Sequence, residues 1–286
     1  MPTILITGST GVVGQNAVRS LAAKPGVTVR AAFHTHPPEA ERDNVQPVPV
    51  DYDKPETVRA AAADVDAVFL ITPPVPGQGA LACRMVDVLK GAGVPRMVRL
   101  SVIGADRPDA KFFLREHAEA ESHIAASGIP CTLLRPGSFM SNFLSFFRPD
   151  PQGNMRMPLG NSGCSYIDPR DIGDVAAEVL TNDGHIGKAY TLTGPEAITM
   201  SQVAAAISDV SGRPIRYIDT PEEAVRQGML AHGVPPPMVE GIMDLFADQK
   251  AGKVSLVTGA VQELTSRPAR SFAEFARDYA QAWMEK

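Results

Sequence analysis

Cysteine is scarce: there are three in 286 residues, Cys83, Cys131 and Cys164, far apart and in no CxxC or other metal-ligand spacing. That excludes a disulfide framework and a thiolate metal centre, so no metal is expected, and it suits a reduced cytoplasmic protein. An excess of basic residues is missing too, since 27 Lys and Arg stand against 32 Asp and Glu, a formal charge of -5 with a pI near 5.7. The positive residues are scattered rather than blocked, so no nucleic-acid partner is expected. No apolar run approaches the ~18 residues that a membrane span requires. Met1 leads within two residues into a strand and a glycine turn, a beginning that leaves no room for a signal peptide. The expectation is a cytoplasmic chain with a small-molecule substrate and no membrane association.

What is there is a globular composition, 44% hydrophobic and 21% charged, which excludes disorder. Residues 4–6, 27–33, 45–50, 67–71, 97–100 and 131–134 are short, nearly all-apolar runs, the signature of parallel strands covered on both faces. Between them, residues 12–23, 55–63, 81–91 and 112–126 carry apolar residues at helical spacing, each run followed by Gly or Pro. Repeated β-α units of this length predict an α/β fold, a Rossmann-type doubly wound parallel sheet over residues 1–137. Residues 138–286 are less regular and read as a smaller, mainly helical substrate-binding part with some chain returning to the sheet. Asp168-Pro169-Arg170-Asp171 and Thr220-Pro221-Glu222-Glu223 each predict a capped helix start; further helical runs cover 235–247 and 271–283. Apolar C-terminal helices allow a homodimer without demanding one.

The strongest site signal is Gly8-Ser9-Thr10-Gly11-Val12-Val13-Gly14, where the strand Ile4-Leu5-Ile6 runs into glycines spaced GxxGxxG and then a helix. Such glycines permit a tight turn and close backbone approach, so that the first helical N–H groups meet a dinucleotide pyrophosphate. Cofactor choice is read at the end of the second strand, where an Asp or Glu would bind the ribose hydroxyls of NAD. The residues there are His34, Thr35 and His36. With no carboxylate among them, and with His34, Arg30 and Arg42 available to a 2′-phosphate, NADPH is preferred to NADH; the bland alternative is a pair of solvated loop histidines. Asp51 and Tyr52 follow the third strand and would border the adenine, and Asp53 would cap the helix at Pro55. Thr72 and Pro73 end the fourth strand, where the nicotinamide half would lie.

The glycine segment, Leu100-Ser101-Val102-Ile103-Gly104-Ala105, Leu134-Arg135-Pro136-Gly137-Ser138-Phe139-Met140-Ser141-Asn142 and Tyr166-Ile167-Asp168-Pro169-Arg170-Asp171-Ile172 together resemble the NmrA-like atypical short-chain dehydrogenases, the group that includes quinone oxidoreductases and triphenylmethane reductases. The likeness covers nearly the whole chain. It implies a Rossmann-type sheet, nicotinamide dinucleotide along Gly8 to Gly14, and a substrate cleft between the sheet edge and the C-terminal part. It leaves the reaction open among quinone and dye reductases, imine reductases and regulators that sense NADP without turnover.

Short-chain dehydrogenases commonly protonate a developing alkoxide with a Tyr whose pKa is lowered by a Lys four residues on. The resemblance places Phe113 where that Tyr belongs and His117 where the Lys belongs. A Phe transfers no proton, so ordinary ketone reduction is disfavoured. A quinone, quinone methide or iminium needs little help, because the phenolate formed has a pKa near ~10 or the nitrogen needs no proton. Alternatively His117, with a free pKa near ~6.5, supplies the proton, or it is a half-buried histidine held by Glu116, Glu121 or a carbonyl. Ser101, at the end of the fifth strand, either bonds a substrate oxygen or caps its own strand. Pro136 and Gly137 are expected near the carboxamide. Asp168 and Asp171 read as helix-start residues rather than an acid-base pair. Asn142 is a cleft candidate, and Met140, Phe143, Phe146 and Phe147 form either an aromatic-binding patch or core. The resulting expectation is an NADPH-dependent reductase of a conjugated, aromatic acceptor, with an NADP-sensing regulator as its rival.

Overall fold

A computed structural model describes residues 1–38 and 42–284. Its strands are β1 (Thr3–Ile6), β2 (Thr28–Phe33), β3 (Val45–Pro49), β4 (Ala67–Leu70), β5 (Met97–Leu100), β6 (Cys131–Pro136), β7 (Asn154–Met157), β8 (Ala189–Leu192) and β9 (Arg216–Asp219). The chain divides into two compact units.

The first unit comprises Met1–Pro136, Pro169–Thr191 and Glu263–Ser266. Its seven-stranded sheet has the order β3-β2-β1-β4-β5-β6-β8, and the pairs from β3 through to β6 are parallel. All four residues of β4 are buried, as the apolar runs require for strands covered on both faces. The strand order reverses at β1, whose neighbours are β2 on one side and β4 on the other. Ile6 is level with Ala31 and with Phe69, so the turn after β1 emerges at the crevice where doubly wound sheets bind ligands.

Helix α1 (Val12–Ala22) buries Val13, Gly14, Ala17, Val18 and Leu21, one helical face. Helices α2 (Pro55–Ala61), α3 (Gln78–Gly91) and α4 (Phe112–Ser127) cover the face of the sheet where Leu5, Val68, Leu70, Met85, Leu89, Met97 and Ile124 form a core. After leaving the unit at Pro136, the chain returns with α5 (Pro169–Thr181), which packs along α1. Gly173 makes that approach possible: a Cβ there would lie 2.6 Å from the Asn16 carbonyl carbon. Ser20 donates to Asp174 at 2.7 Å and Lys24 pairs with Glu178 at 2.8 Å along the same seam.

In this unit one helix start and one helix cap differ from expectation. Helix α3 begins at Gln78 rather than Leu81, because Glu116 of α4 accepts the Gly77 N–H at 2.8 Å and the Gly79 N–H at 3.4 Å. That carboxylate caps the helix from a distant part of the sequence. Asp53 does not cap α2: the N-cap is Lys54, with no side-chain cap, and the Asp53 N–H instead donates to Asp51 at 3.0 Å.

The second unit comprises Gly137–Asp168, Leu192–Gln262 and Arg267–Lys286. It holds a 3₁₀ turn at Met140–Leu144, helices α6 (Met200–Ser211), α7 (Glu222–Ala231) and α8 (Pro236–Lys250), the start of α9 (Ala260–Thr265), and α10 (Phe272–Asp278) and α11 (Ala280–Met284). A parallel pair, β7 with β9, accompanies them; its polar Asn154, Arg156 and Arg216 hide it from a reading of apolar runs. Helix α7 begins one residue later than expected, with extended Pro221 at the N-cap, and the Thr220 hydroxyl donates to the Ile218 carbonyl at 3.0 Å. The amphipathic stretch from Ser271 breaks at Tyr279 into α10 and α11; Ser271 and Glu274 form a capping box at its start.

Of the two readings of Met140, Phe143, Phe146 and Phe147, the structure takes core for all but Phe146. Met140 and Phe143 are buried beneath Tyr166 and Phe272, Phe147 packs on Phe246, and Phe146 alone of the four is strongly exposed, at 87%. Asn142 holds the 3₁₀ turn through its carbonyl, which accepts the N–H groups of Ser145 and Phe147.

Candidate active site

The site is built first from backbone. Gly8 turns the chain at φ +60°, and its position against Ile71 leaves 3.1 Å for a Cβ. A Cβ at Gly14 would stand 2.1 Å from the Gly8 carbonyl oxygen, so the third glycine lets α1 begin directly over the turn. Thr10, Gly11 and Val12 are exposed; Gly11 is the N-cap, no side chain caps the helix and no acid occupies its first turn. Uncapped N–H groups and the positive helix end therefore face outward, the arrangement that receives a pyrophosphate. Ser9 is different: it is buried and its hydroxyl donates to the Ala32 carbonyl at 2.7 Å, tying the turn to β2. Thr7, not anticipated as part of the site, clamps the turn to β4 by donating to the Ile71 carbonyl at 2.9 Å and accepting the Ile71 N–H at 2.7 Å.

At the ends of β2 and β3, His34 is exposed and lies 4.0 Å from the Asp51 carboxylate. Lys54 pairs with the same carboxylate at 3.2 Å. The Asp53 N–H, Lys54 and His34 all hold Asp51 below the usual carboxylate range. The two arginines expected to help His34 do not. Arg30 reaches the carbonyls of Ala61 and Ala63. Arg42 precedes β3, at the N-terminal end of the parallel strands, whereas His34 follows β2 at their C-terminal end. Tyr52 is half-buried and donates its hydroxyl to the Ile71 carbonyl at 3.0 Å; burial raises its pKa.

A feature invisible to pattern reading lies beneath the end of β4. Arg99 of β5 is 1% exposed and makes no ion pair among the described residues. Its guanidinium donates to the Leu70 carbonyl at 3.1 Å and to the Thr72 hydroxyl at 2.9 Å, while its Nε has no partner. Thr72 in turn donates to buried Gln78 at 3.0 Å, so its side chain serves this network, and Pro73 beside it is exposed. Burial pushes the Arg99 pKa down to about 10, which leaves it charged at neutral pH.

Helix α4 opens with Phe112 at φ +32° and its ring edge-on to Phe113, centroids 4.6 Å apart. One turn on, His117 is half-buried, and its Nδ1 is enclosed with no partner. Neither acid expected to hold it does so: Glu116 caps α3, and Glu121 accepts from Ser101 at 2.5 Å and pairs with Arg135 at 2.5 Å. Burial, with the charge of Arg99 adding to it, pushes the His117 pKa down to about 3. The expectation of a free imidazole near ~6.5 is corrected: His117 is neutral across the physiological range. Ser101, read as either a substrate contact or a strand-end hydroxyl bonding the backbone, is buried and donates to Glu121. Tyr52 and Tyr190 are the tyrosines of this unit, and both hydroxyls are engaged, the latter with His185 at 2.8 Å.

The remaining candidates lie in ordered backbone. The Pro136 carbonyl accepts from Ile103 at 2.9 Å; in the second unit, the Gly137 N–H donates to Leu192 at 2.9 Å. Asp168 and Asp171 are buried at the start of α5. All three cysteines are unpaired, and no group of three or more His, Cys, Asp or Glu among the described residues is arranged to hold a metal. No helix among the described residues is long and apolar enough to cross a membrane.

A glycine cradle over a switch point defines the class as a Rossmann-type dinucleotide-binding protein, and the residues present fit that cofactor. The NmrA-like family model matches residues 1–275, and the chain belongs to that family. It is 37% identical over 285 residues to NAD(P)H azoreductase of Xenophilus azovorans, covering 98% of this chain and 99% of that one. It is 36% identical over 290 residues to (4-alkanoyl-5-oxo-2,5-dihydrofuran-3-yl)methyl phosphate reductase of Streptomyces griseus subsp. griseus, with 98% and 99% covered. The crystal structure of an NADPH-dependent quinone oxidoreductase from Escherichia coli, complexed with NADPH, matches with a TM-score of 0.84 and 26% identity over 96% of this chain and 99% of that one.

Proposed function

We propose that this protein is an NADPH-dependent reductase that passes hydride to a planar conjugated small molecule, of quinone, quinone methide or imine type, without a tyrosine acid. The oxidoreductase class rests on family membership and on full-length relatives that are reductases. What supports the rest is the side chains of this unit: Phe113, which the family resemblance sets at the acid position, His117 one turn on and kept neutral by burial, and two tyrosines whose hydroxyls are already engaged.

Bound at the cradle, the reduced nicotinamide supplies the hydride. The protein's own work is positioning. The Gly8–Gly14 turn and the start of α1 bind the pyrophosphate. Phe113 offers an aromatic surface to a planar acceptor. His117, carrying no charge, serves as a hydrogen-bonding group, and the acceptor's own low basicity removes the need for a strong acid. An azo bond and a quinone, the acceptors in the names of two relatives, suit such a site. NADPH is preferred because no acid stands at positions 34–36 and because Lys54 and His34 surround Asp51, leaving a 2′-phosphate unopposed. Unpaired thiols suit the cytoplasm.

The test is titration of the protein with NADPH and NADH by nicotinamide fluorescence, then addition of quinone, cyclic imine and azo acceptors. Tighter binding of NADPH and its oxidation by one of them supports the proposal. Tight binding with no oxidation by any acceptor replaces the enzyme with a dinucleotide-sensing regulator.

A further inference from the structure

A buried arginine without a counter-ion is unfavourable for folding, because the lost hydration of a full charge is not repaid by two hydrogen bonds to neutral groups. Among the described residues Arg99 is in that position, with hydrogen bonds to Leu70 and Thr72 only. The groups around it are Tyr52 from the loop after β3, Cys83 of α3, Glu121 and His117 of α4, and Cys131 of β6. Glu121, the one acid among them, is engaged by Ser101 and Arg135. The charge is thus left standing, and the structure tells where it stands. Residues 70–72 are gripped from one side by Arg99 and from the other by the cofactor turn, through the Thr7 hydroxyl on Ile71 and the close seat of Gly8 against Ile71. One strand end is shared by the dinucleotide cradle and a fixed positive charge.

We infer that Arg99 is an electrostatic residue of the dinucleotide site, a permanent buried cation that favours the neutral, reduced nicotinamide over the cationic, oxidised one. The same charge adds to burial in opposing an imidazolium at His117. For a reductase the consequence is at product release: the oxidised cofactor is repelled once hydride has left, offset by a smaller driving force for the transfer itself. The inference rests on the dinucleotide-binding reading above.

The experiment measures Kd for NADPH, NADP⁺ and 2′,5′-ADP, which carries no nicotinamide, by calorimetry on the wild type, Arg99→Gln and Arg99→Lys, with Arg99→Met as a second uncharged variant should Gln not fold. The wild type should bind NADPH more tightly than NADP⁺. Removing the charge should shrink the ratio of the two constants on the order of tenfold, the size of effect that a unit charge exerts through a partly polar interior. Arg99→Lys should keep most of the ratio, and 2′,5′-ADP should bind all variants alike. A wild type that binds NADP⁺ as tightly as NADPH, or uncharged variants with an unchanged ratio, overturns this inference alone. Absence of any dinucleotide binding by the wild type overturns the reductase reading and this inference together.

Discussion

Gly14 has no space for even a methyl group, since its Cβ would meet the Gly8 carbonyl at 2.1 Å. Gly14→Ala should therefore abolish dinucleotide binding and lower stability by about 2 kcal/mol or more, read from fluorescence titration and a urea melt. This residue was legible in the sequence, because the strand, the glycine spacing and the helix are contiguous. His117 was legible in place but not in charge, since burial among distant residues set its pKa. That pKa, about 3 in the folded chain against ~6.5 unfolded, fixes a sign. Between those values the unfolded chain binds the extra proton, so stability is full above about pH 6.5 and falls as the medium becomes more acid. His117→Gln should flatten the dependence of unfolding free energy on pH between 4 and 6 by up to ~1.4 kcal/mol per pH unit. An unchanged slope would place His117 in solvent. At the ribose end, His34→Asp should move the preference from NADPH toward NADH by about tenfold, visible as a change in the ratio of the two Kd values.

The elements were read from their own periodicity, and most began and ended where it said. The largest exception, the early start of α3, comes from capping by a distant part of the chain. Nothing near Gln78 announces a helix start, because its cap is Glu116. Glu116→Ala should lower stability by about 1 kcal/mol, and amide exchange should show the loss in the first turn of α3; exchange unchanged there would remove the cap from the account. The pairing of α1 with α5 was equally out of reach, since it joins segments about 150 residues apart through Gly173. Gly173→Leu should lower stability by about 2 to 3 kcal/mol in a thermal melt; a native-like Tm would mean that the two helices do not meet this closely. Arg99 escaped notice for a related reason. In the run Met97-Val98-Arg99-Leu100 it looks like a strand's one solvent-facing residue, and only the helices packed over it bury it.

At the scale of the molecule, the doubly wound sheet followed from alternating apolar and helical runs, and the reversal at β1 put the glycine turn where its chemistry is useful. A partial return of the chain to the sheet was expected, but that β8 is the strand that returns, and that β7 pairs with β9, depend on contacts that no local pattern encodes. The functional claim is that this fold positions a donor and an acceptor and leaves the proton to the acceptor's own chemistry. Its most direct test is isotopic: the protein is given NADPH deuterated at C4 of the nicotinamide and a cyclic iminium whose reduced carbon holds its hydrogen firmly, and the product is read by mass spectrometry. The account predicts product carrying one deuterium on carbon in ordinary water, from one face of the nicotinamide. Oxidation of NADPH that yields unlabelled product, or no oxidation by any conjugated acceptor, would contradict it.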